Sequence, residues 1–309
     1  MRVLPALLIL LLSPGENNFF KRAIHESIPG IRNSMGDSAD SVDVKITRIS
    51  GNVYFLECVN GFGGGNVAAS IGPDGILLVD DMFASMLPRI DAALKTISPK
   101  PVRMVLNTHF HGDHIQGNEN YHHSAIIIGH KNITARLSMK KKEAEQNQLM
   151  LPAISFTDSI KINFNGEDVQ LVHVPDSHTD SDALIYFTKS RVLHLGDLFF
   201  FEMFPGVYAE GGGDVKKLVH SLEKIIAVYP ADTYVVPGHG RLASMQDLKS
   251  YLTMLKETIG IIEKKLREGK TLEQMQQEKV LHKYDDLGKG GAQSTEQYTA
   301  MLYKLLSKK

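Results

Sequence analysis

Residues Asn107-Thr108-His109-Phe110-His111-Gly112-Asp113-His114 place three imidazoles and one carboxylate within six consecutive positions, 109 to 114. They directly follow Val102 to Leu106, a short apolar run read as a strand. His109 and His111 alternate, so in an extended segment both side chains point to one side. Gly112 lets the chain turn, which brings Asp113 and His114 to the same place from a different direction. A single histidine is ordinarily a surface or core residue, but packing does not explain this density. Imidazole and carboxylate together suit Zn, Fe or Mn.

Three later stretches repeat the arrangement of strand followed by ligand. Pro175 to Asp180 follows an apolar run at Val169 to Val174 and places His178 in a loop. Leu195-Gly196-Asp197-Leu198 places Asp197 at the end of the run Val192 to Leu195. Val236-Pro237-Gly238-His239-Gly240 closes the run Tyr234 to Val236, with glycines that permit close backbone approach. Each is weak alone; their weight comes from repetition. The remaining histidines take a plainer reading. His122 and His123 are adjacent and diverge in direction, and His130, His173, His194 and His220 lie in or beside regular elements as packing, surface or supporting residues.

Composition sets bounds around this core. Lys and Arg number 34 against 35 Asp and Glu, so the chain lacks the basic surplus of a nucleic-acid binder. Cys58 is the only cysteine, which excludes an intrachain disulfide and a Cys-rich zinc site. At the N-terminus, Arg2 precedes an apolar run from Val3 to Leu12 that is too short to span a bilayer, which needs ~20 apolar residues. Residues 1–13 therefore read as a signal peptide or N-terminal anchor. The reading points to an exported, periplasmic or secreted protein, with a cytoplasmic or anchored one as the alternative. Residues 14–42 are polar and irregular and read as a flexible tether.

From residue 43 to 309 the chain carries regular pattern and reads as one domain with C-terminal helices. Val44 to Ile49, Val53 to Val59, Asn66 to Ile71 and Ile76 to Val79 read as strands of an antiparallel meander, with turn signals between them. Leu87 to Ile97 has helical spacing. Strands follow at Val102 to Leu106, Ala125 to Ile128, Ser159 to Phe164, Val169 to Val174, Ala183 to Phe187, Val192 to Leu195 and Tyr234 to Val236. Asp214 caps a helix running to Val228. Ser244 opens another, with Leu248, Leu252, Leu255, Ile259, Ile262 and Leu266 on one face and Gly269 at its end. Two β-rich halves, each with helices, suggest two packed sheets under outer helices.

The run His-x-His-x-Asp-His, the later His178-Thr179-x-x-Asp, Gly196-Asp197 after a strand, and Pro237-Gly238-His239-Gly240 near the last strand resemble the metallo-β-lactamase superfamily, in that family's order. The resemblance covers Val44 to Gly240 and the flanking C-terminal helices. It implies an α/β fold, a four-layer αβ/βα sandwich of two mixed sheets with the metal site at one edge between them. It implies that His109, His111 and His178 hold one metal, that Asp113, His114 and His239 hold a second, and that Asp197 bridges both. Asp80 and Thr179 are assigned to support the ligands, and Asp113 is also assigned the catalytic role of orienting the nucleophile. The implied cofactors are two Zn2+ per chain, with Fe or Mn as alternatives. Two cations ~3.5–4 Å apart can clamp attacking and departing groups.

The resemblance implies a hydrolase acting on an ester, thioester, lactone, lactam or phosphoester of small-molecule size. Two-zinc β-lactamases usually carry cysteine where Asp197 stands and a nearby lysine; here no Lys or Arg follows Asp197 until Lys216. A β-lactamase proper stays an alternative, as do a mononuclear iron sulfur dioxygenase resembling the persulfide dioxygenases and a non-catalytic binding protein. The stretch Gly61-Phe62-Gly63-Gly64-Gly65-Asn66 lacks the Gly-Lys-Ser/Thr of a phosphate loop. It reads either as a flexible hairpin or as a flap with Phe62 on the substrate. Phe199, Phe200, Phe201, Met203 and Phe204 read as core or as an apolar pocket wall. Asn132-Ile133-Thr134 matches a glycosylation triplet. No stable membrane insertion beyond the N-terminal segment is expected.

Overall fold

The computed structural model describes residues 41–139 and 147–307. The expected signal segment and tether lie outside the described residues, except Ser41 and Val42; Val42 is buried and packs with the core.

The first sheet joins β1 (Asp43–Ser50), β2 (Val53–Val59), β3 (Val67–Gly72), β4 (Gly75–Val79), β5 (Val102–Leu106), β6 (Ile126–His130) and β7 (Ile154–Phe156) in chain order. β1 to β4 form the expected antiparallel meander, and β4 to β7 run parallel. The change of direction follows from the connections. Two-residue turns join β1 to β2 and β3 to β4, and the glycine-rich stretch joins β2 to β3, whereas α1 (Leu87–Lys95) lies between β4 and β5 and supplies the crossover that parallel pairing requires. Two short helices, α2 (Gly112–Ile115) and α3 (Asn118–Tyr121), lie between β5 and β6, and α4 (Lys131–Met139) follows β6.

The second sheet has the order β13-β12-β11-β10-β9-β8. Its strands are β8 (Ser159–Phe164), β9 (Glu167–His173), β10 (Ala183–Phe187), β11 (Val192–Phe200), β12 (Tyr234–His239) and β13 (Ala243–Ser244). β11 and β12 pair in parallel because α5 (Val215–Val228) crosses between them. Asp214 caps α5 by accepting from the backbone N–H groups of Lys216 and Lys217. Ser244 and Asp247 form a capping box at the start of α6 (Met245–Arg267), followed by α7 (Leu272–Gln277) and α8 (Thr295–Ser307).

Side-chain alternation sorts the residues into layers. Phe55, Leu77, Val79 and Leu106 of the first sheet meet Leu171, Ile185, Phe187 and Val236 of the second in an inner core. The opposite faces carry Leu56, Ile76 and Leu78 against Ile90 and Leu94 of α1, and Leu184, Leu193 and Val235 against α5, α6 and α8. Both faces of β4 and β10 are therefore buried, which is why those strands read as unbroken apolar runs rather than alternating ones. The result is the four-layer αβ/βα sandwich. Among the described residues, no helix is long and apolar enough to cross a membrane.

Strand limits moved where the chain kinks. The run expected to stop at Leu195 continues to Phe200, with register shifts on both sides of Gly196. These irregularities put Asp197 inside a distorted strand rather than after one.

Candidate metal centre

The ligand-bearing segments leave neighbouring strands at one edge of the sandwich. β5 runs into the His109–His114 segment, β9 into the loop carrying His178, the kink in β11 holds Asp197, and β12 ends on His239. The structure gathers all seven expected ligands into two groups. His109, His111, His178 and Asp197 form one; Asp113, His114 and His239 form the other; within each, one potential ligand atom per residue lies within 4.8 Å of the rest.

Asp197 lies between the groups. Its Oδ2 is 3.3 Å from His178 Nε2 and 3.7 Å from His109 Nε2. Its Oδ1 is 3.1 Å from His114 Nε2 and 3.4 Å from His239 Nε2. Asp113 Oδ2 stands 3.4 Å from His239 Nε2 and 3.8 Å from His114 Nε2.

Three of the five imidazoles are turned by a partner on the far side. His114 Nδ1 donates to Asp80 Oδ2 at 2.7 Å, which turns Nε2 toward the centre. Asp80 also accepts from the Thr108 N–H and hydroxyl, both at 2.8 Å, and these bonds hold it at φ +62°, an uncommon backbone angle for a residue with a side chain. The Thr108 hydroxyl oxygen accepts from His109 Nδ1 at 2.9 Å. His178 Nδ1 donates to the Gly206 carbonyl at 2.7 Å. The expected support by Asp80 is thus direct.

Thr179 works one step removed. Its N–H and hydroxyl bond Asp182, which also accepts from the His178 N–H at 2.7 Å and so fixes the loop rather than a ligand ring. Burial pushes the Asp182 carboxyl up to about 8, against those three donors.

The donor set fits cations. His111 Nδ1 lies 3.0 Å from His109 Nε2 and 2.9 Å from His178 Nε2. With the Nδ1 protons of His109 and His178 committed elsewhere, three ring nitrogens converge, an arrangement a shared positive ion would satisfy. Both oxygens of Asp113, Oδ1 of Asp197 and Nε2 of His114 are buried without a hydrogen-bond partner. Titration behaviour divides the groups. Burial lowers His109 and His178, and lowers His111 to about 3, so these rings are neutral donors. Burial opposes charge on His114 and His239 as well, but Asp197 and Asp113 outweigh it, raising His114 strongly and His239 to about 9. Positive charge is favoured where the carboxylates converge.

The glycine-rich stretch packs against this centre. Gly63, Gly64 and Gly65 are buried, and a Cβ on Gly65 would lie 2.2 Å from the His114 ring. Phe62 alone projects from this stretch, 40 % exposed, with its ring 5.7 Å from His239 and 5.8 Å from Phe83. Phe199, Phe200, Phe201 and Phe204 are buried, and Phe200 stacks on His239 at 5.1 Å. The Asn132 amide of the glycosylation triplet donates to the Asp180 carbonyl. His122 and His123 are exposed and stand apart from both groups.

Several contributors escaped the motif reading. Asn66 ties the glycine-rich stretch to β12 by donating to the Pro237 and Gly240 carbonyls. Tyr208 sets its ring 4.9 Å from His111 and 5.4 Å from His178. Asp182, by contrast, is the aspartate that closes the His178-Thr179-x-x-Asp motif, and its bonds to the His178 and Thr179 N–H groups give that position its purpose. Asn66 and Tyr208 carried no such mark, because the partners of Asn66 lie 171 and 174 residues along the chain and those of Tyr208 sit in two separate segments, at His111 and His178.

Comparison with known proteins agrees with this geometry. Residues 62–239 match the family described as the metallo-beta-lactamase superfamily. The chain is similar to a metallo-beta-lactamase type 2 of Bacteroides fragilis, 24% identical over 210 residues, which are 65% of this chain and 80% of that protein. It is also similar to a hydroxyacylglutathione hydrolase of Francisella tularensis subsp. tularensis, 30% identical over 163 residues, 51% of this chain and 56% of that one. The chain thus spans just over half the length of that hydrolase. Among solved structures, a metallo-beta-lactamase from Pontibacter korlensis superposes with a TM-score of 0.60 at 19% identity, covering 69% of this chain and 99% of that one.

Proposed function

Because the chain belongs to the metallo-β-lactamase superfamily, we propose that it is a zinc-dependent hydrolase with two Zn2+ per chain, acting on an ester, thioester, lactone, lactam or phosphoester of small-molecule size. The observation that carries this reading is the division of Asp197, with Oδ2 toward His178 and His109 and Oδ1 toward His114 and His239. His109, His111 and His178 would hold one ion, Asp113, His114 and His239 the other, and Asp197 both.

Zinc bound at such a centre supplies a Lewis acid and a water whose pKa falls from 15.7 to about 7. The protein's own groups do the rest. Asp113 keeps both carboxylate oxygens free of hydrogen bonds, so one of them can take a proton from a water and orient it. Asp80 and Gly206 lock His114 and His178 in the tautomer that presents Nε2. Phe62 and Tyr208 set aromatic rings beside His239 and His111 and give the centre an apolar side against which a substrate can lie. Retention of Asp113, His114 and His239 as a complete second group weighs against a mononuclear iron oxygenase.

Metal analysis of the purified protein followed by a panel of β-lactams, lactones, thioesters, esters and phosphoesters tests the reading. About two zinc ions per chain and turnover of one panel class are expected; a single iron with sulfur-oxygenating activity would overturn it.

A further inference from the structure

His178 reaches its ligand pose through one hydrogen bond, from Nδ1 to the Gly206 carbonyl at 2.7 Å. That carbonyl has no element of its own to hold it, since Gly206 lies in the irregular segment between β11 and α5. Its two neighbouring residues are each gripped by the C-terminal region. On one side, the Gln293 amide donates to the Pro205 carbonyl. On the other, the Val207 N–H donates to the Met301 thioether at 3.3 Å. Gln293 and Met301 also touch each other, amide nitrogen to sulfur at 3.7 Å.

The grip is anchored in the core. Phe204 stacks on Tyr298 of α8 at 4.2 Å, Tyr298 is fully buried, and its hydroxyl meets Thr258 of α6 at 2.9 Å. Lys304 at the far end of α8 pairs with Glu210 at 2.6 Å. All these residues of α6 and α8 lie beyond the segment 62–239 that matches the family.

We propose that Gln293 and Met301 are positioning residues for the first cation site, fixing the Gly206 carbonyl and through it the ring of His178. This rests on the reading of His178 as a ligand. Partners behind a metal ligand typically change metal affinity 10- to 100-fold when altered, and a carbonyl held from both sides is a stiffer acceptor than one in a free loop.

The test compares wild type with Gln293→Glu, which keeps the side-chain size but loses the amide donor, and Met301→Leu, which keeps the volume but loses the sulfur acceptor. Affinity for the more tightly held zinc is measured by chelator competition, the absorption spectrum is recorded with Co2+ in place of zinc, and thermal unfolding is followed without metal. Each variant is expected to bind about tenfold more weakly and to shift the Co2+ spectrum. In a His178→Ala background the same substitutions should change affinity by less than roughly twofold, because the path they act through is gone. Folded variants with wild-type affinity and spectrum overturn the proposal, as does lowered thermal stability without loss of affinity. An equal loss in the His178→Ala background overturns it too. Wild-type protein that binds no divalent cation sinks the metal-centre reading itself, a different result from variants that bind as well as wild type.

Discussion

The side-chain amide of Asn66 donates to the carbonyl of Pro237, 2.9 Å away and 171 residues later in the chain. The same amide reaches the Gly240 carbonyl at 2.7 Å, and the Asn66 N–H donates to the Gly238 carbonyl at 2.7 Å. One residue just ahead of β3 thereby holds the segment that carries His239 in the second sheet. Asn66→Ala would leave two carbonyls short of a donor at a buried seam, a loss of about 1–3 kcal/mol. Denaturant unfolding should show that loss, and zinc titration should show a weaker second equivalent. Stability within roughly 0.5 kcal/mol of wild type would show that the clamp is ornamental.

Gly238→Ala addresses the bridge. A Cβ at Gly238 would lie 2.0 Å from Asp197 Oδ1, the oxygen that faces His114 and His239. The carboxylate and the Gly196 backbone, 2.7 Å away, must both move, so the variant should lose thermal stability and at least about tenfold in affinity for the second ion. Isothermal titration with zinc reads this directly; two unperturbed binding steps would contradict the bridging assignment.

Gly260 is the contrasting case. It sits in the exposed middle of α6, and a Cβ there would meet nothing within 4 Å. Gly260→Ala should stabilise the protein by about 0.5–1 kcal/mol through helix propensity alone, leaving metal content untouched. A lowered melting temperature would mean that α6 has an unrecognised neighbour at that face.

His194 predicts a pH dependence. It is fully buried, its Nε2 donates to the Asn66 carbonyl at 3.2 Å, and its Nδ1 accepts from the Gly196 N–H at 3.1 Å, so the neutral ring is satisfied on both sides. Burial lowers its pKa to about 4 from the usual 6.5. Between those values the unfolded chain takes up a proton that the folded protein refuses. Its contribution is therefore fully present above pH 6.5 and is lost as pH falls toward 4. The loss is at most about 3 kcal/mol, at 1.36 kcal/mol per pKa unit. The difference in unfolding free energy between wild type and His194→Gln, measured from pH 7 to pH 4.5, should shift in favour of the variant on acidification. A difference independent of pH would show that His194 does not titrate in this window.

The proposed ligands were legible because each lay at the end of an apolar run, and several stood close together in the chain. Asp80 could be placed only through resemblance. Its role depends on a left-handed turn after β4 that aims its carboxylate at Thr108 and His114, and a pattern of residue types does not encode that direction. The strand ending at Leu195 was drawn too short for a similar reason: the kink at Gly196 breaks the alternation on which strand reading depends, while pairing with β12 continues beyond it. The glycine-rich stretch had two open readings, and close packing of Gly65 on His114 gives its small residues a third purpose.

By itself, then, the sequence determined the layers and narrowed the chemistry: apolar periodicity marked which faces are buried, and the grouping of imidazoles with carboxylates left Zn, Fe or Mn as the ions they suit. Tertiary structure alone decided which oxygen of Asp197 faces which group, that Asn66 joins the two sheets, and that the last helix reaches back to the carbonyl behind His178. Those relations depend on contacts between residues 19 to 174 positions apart. Their geometry is set by how the sheets stack and where α8 docks, and local residue patterns carry no record of either.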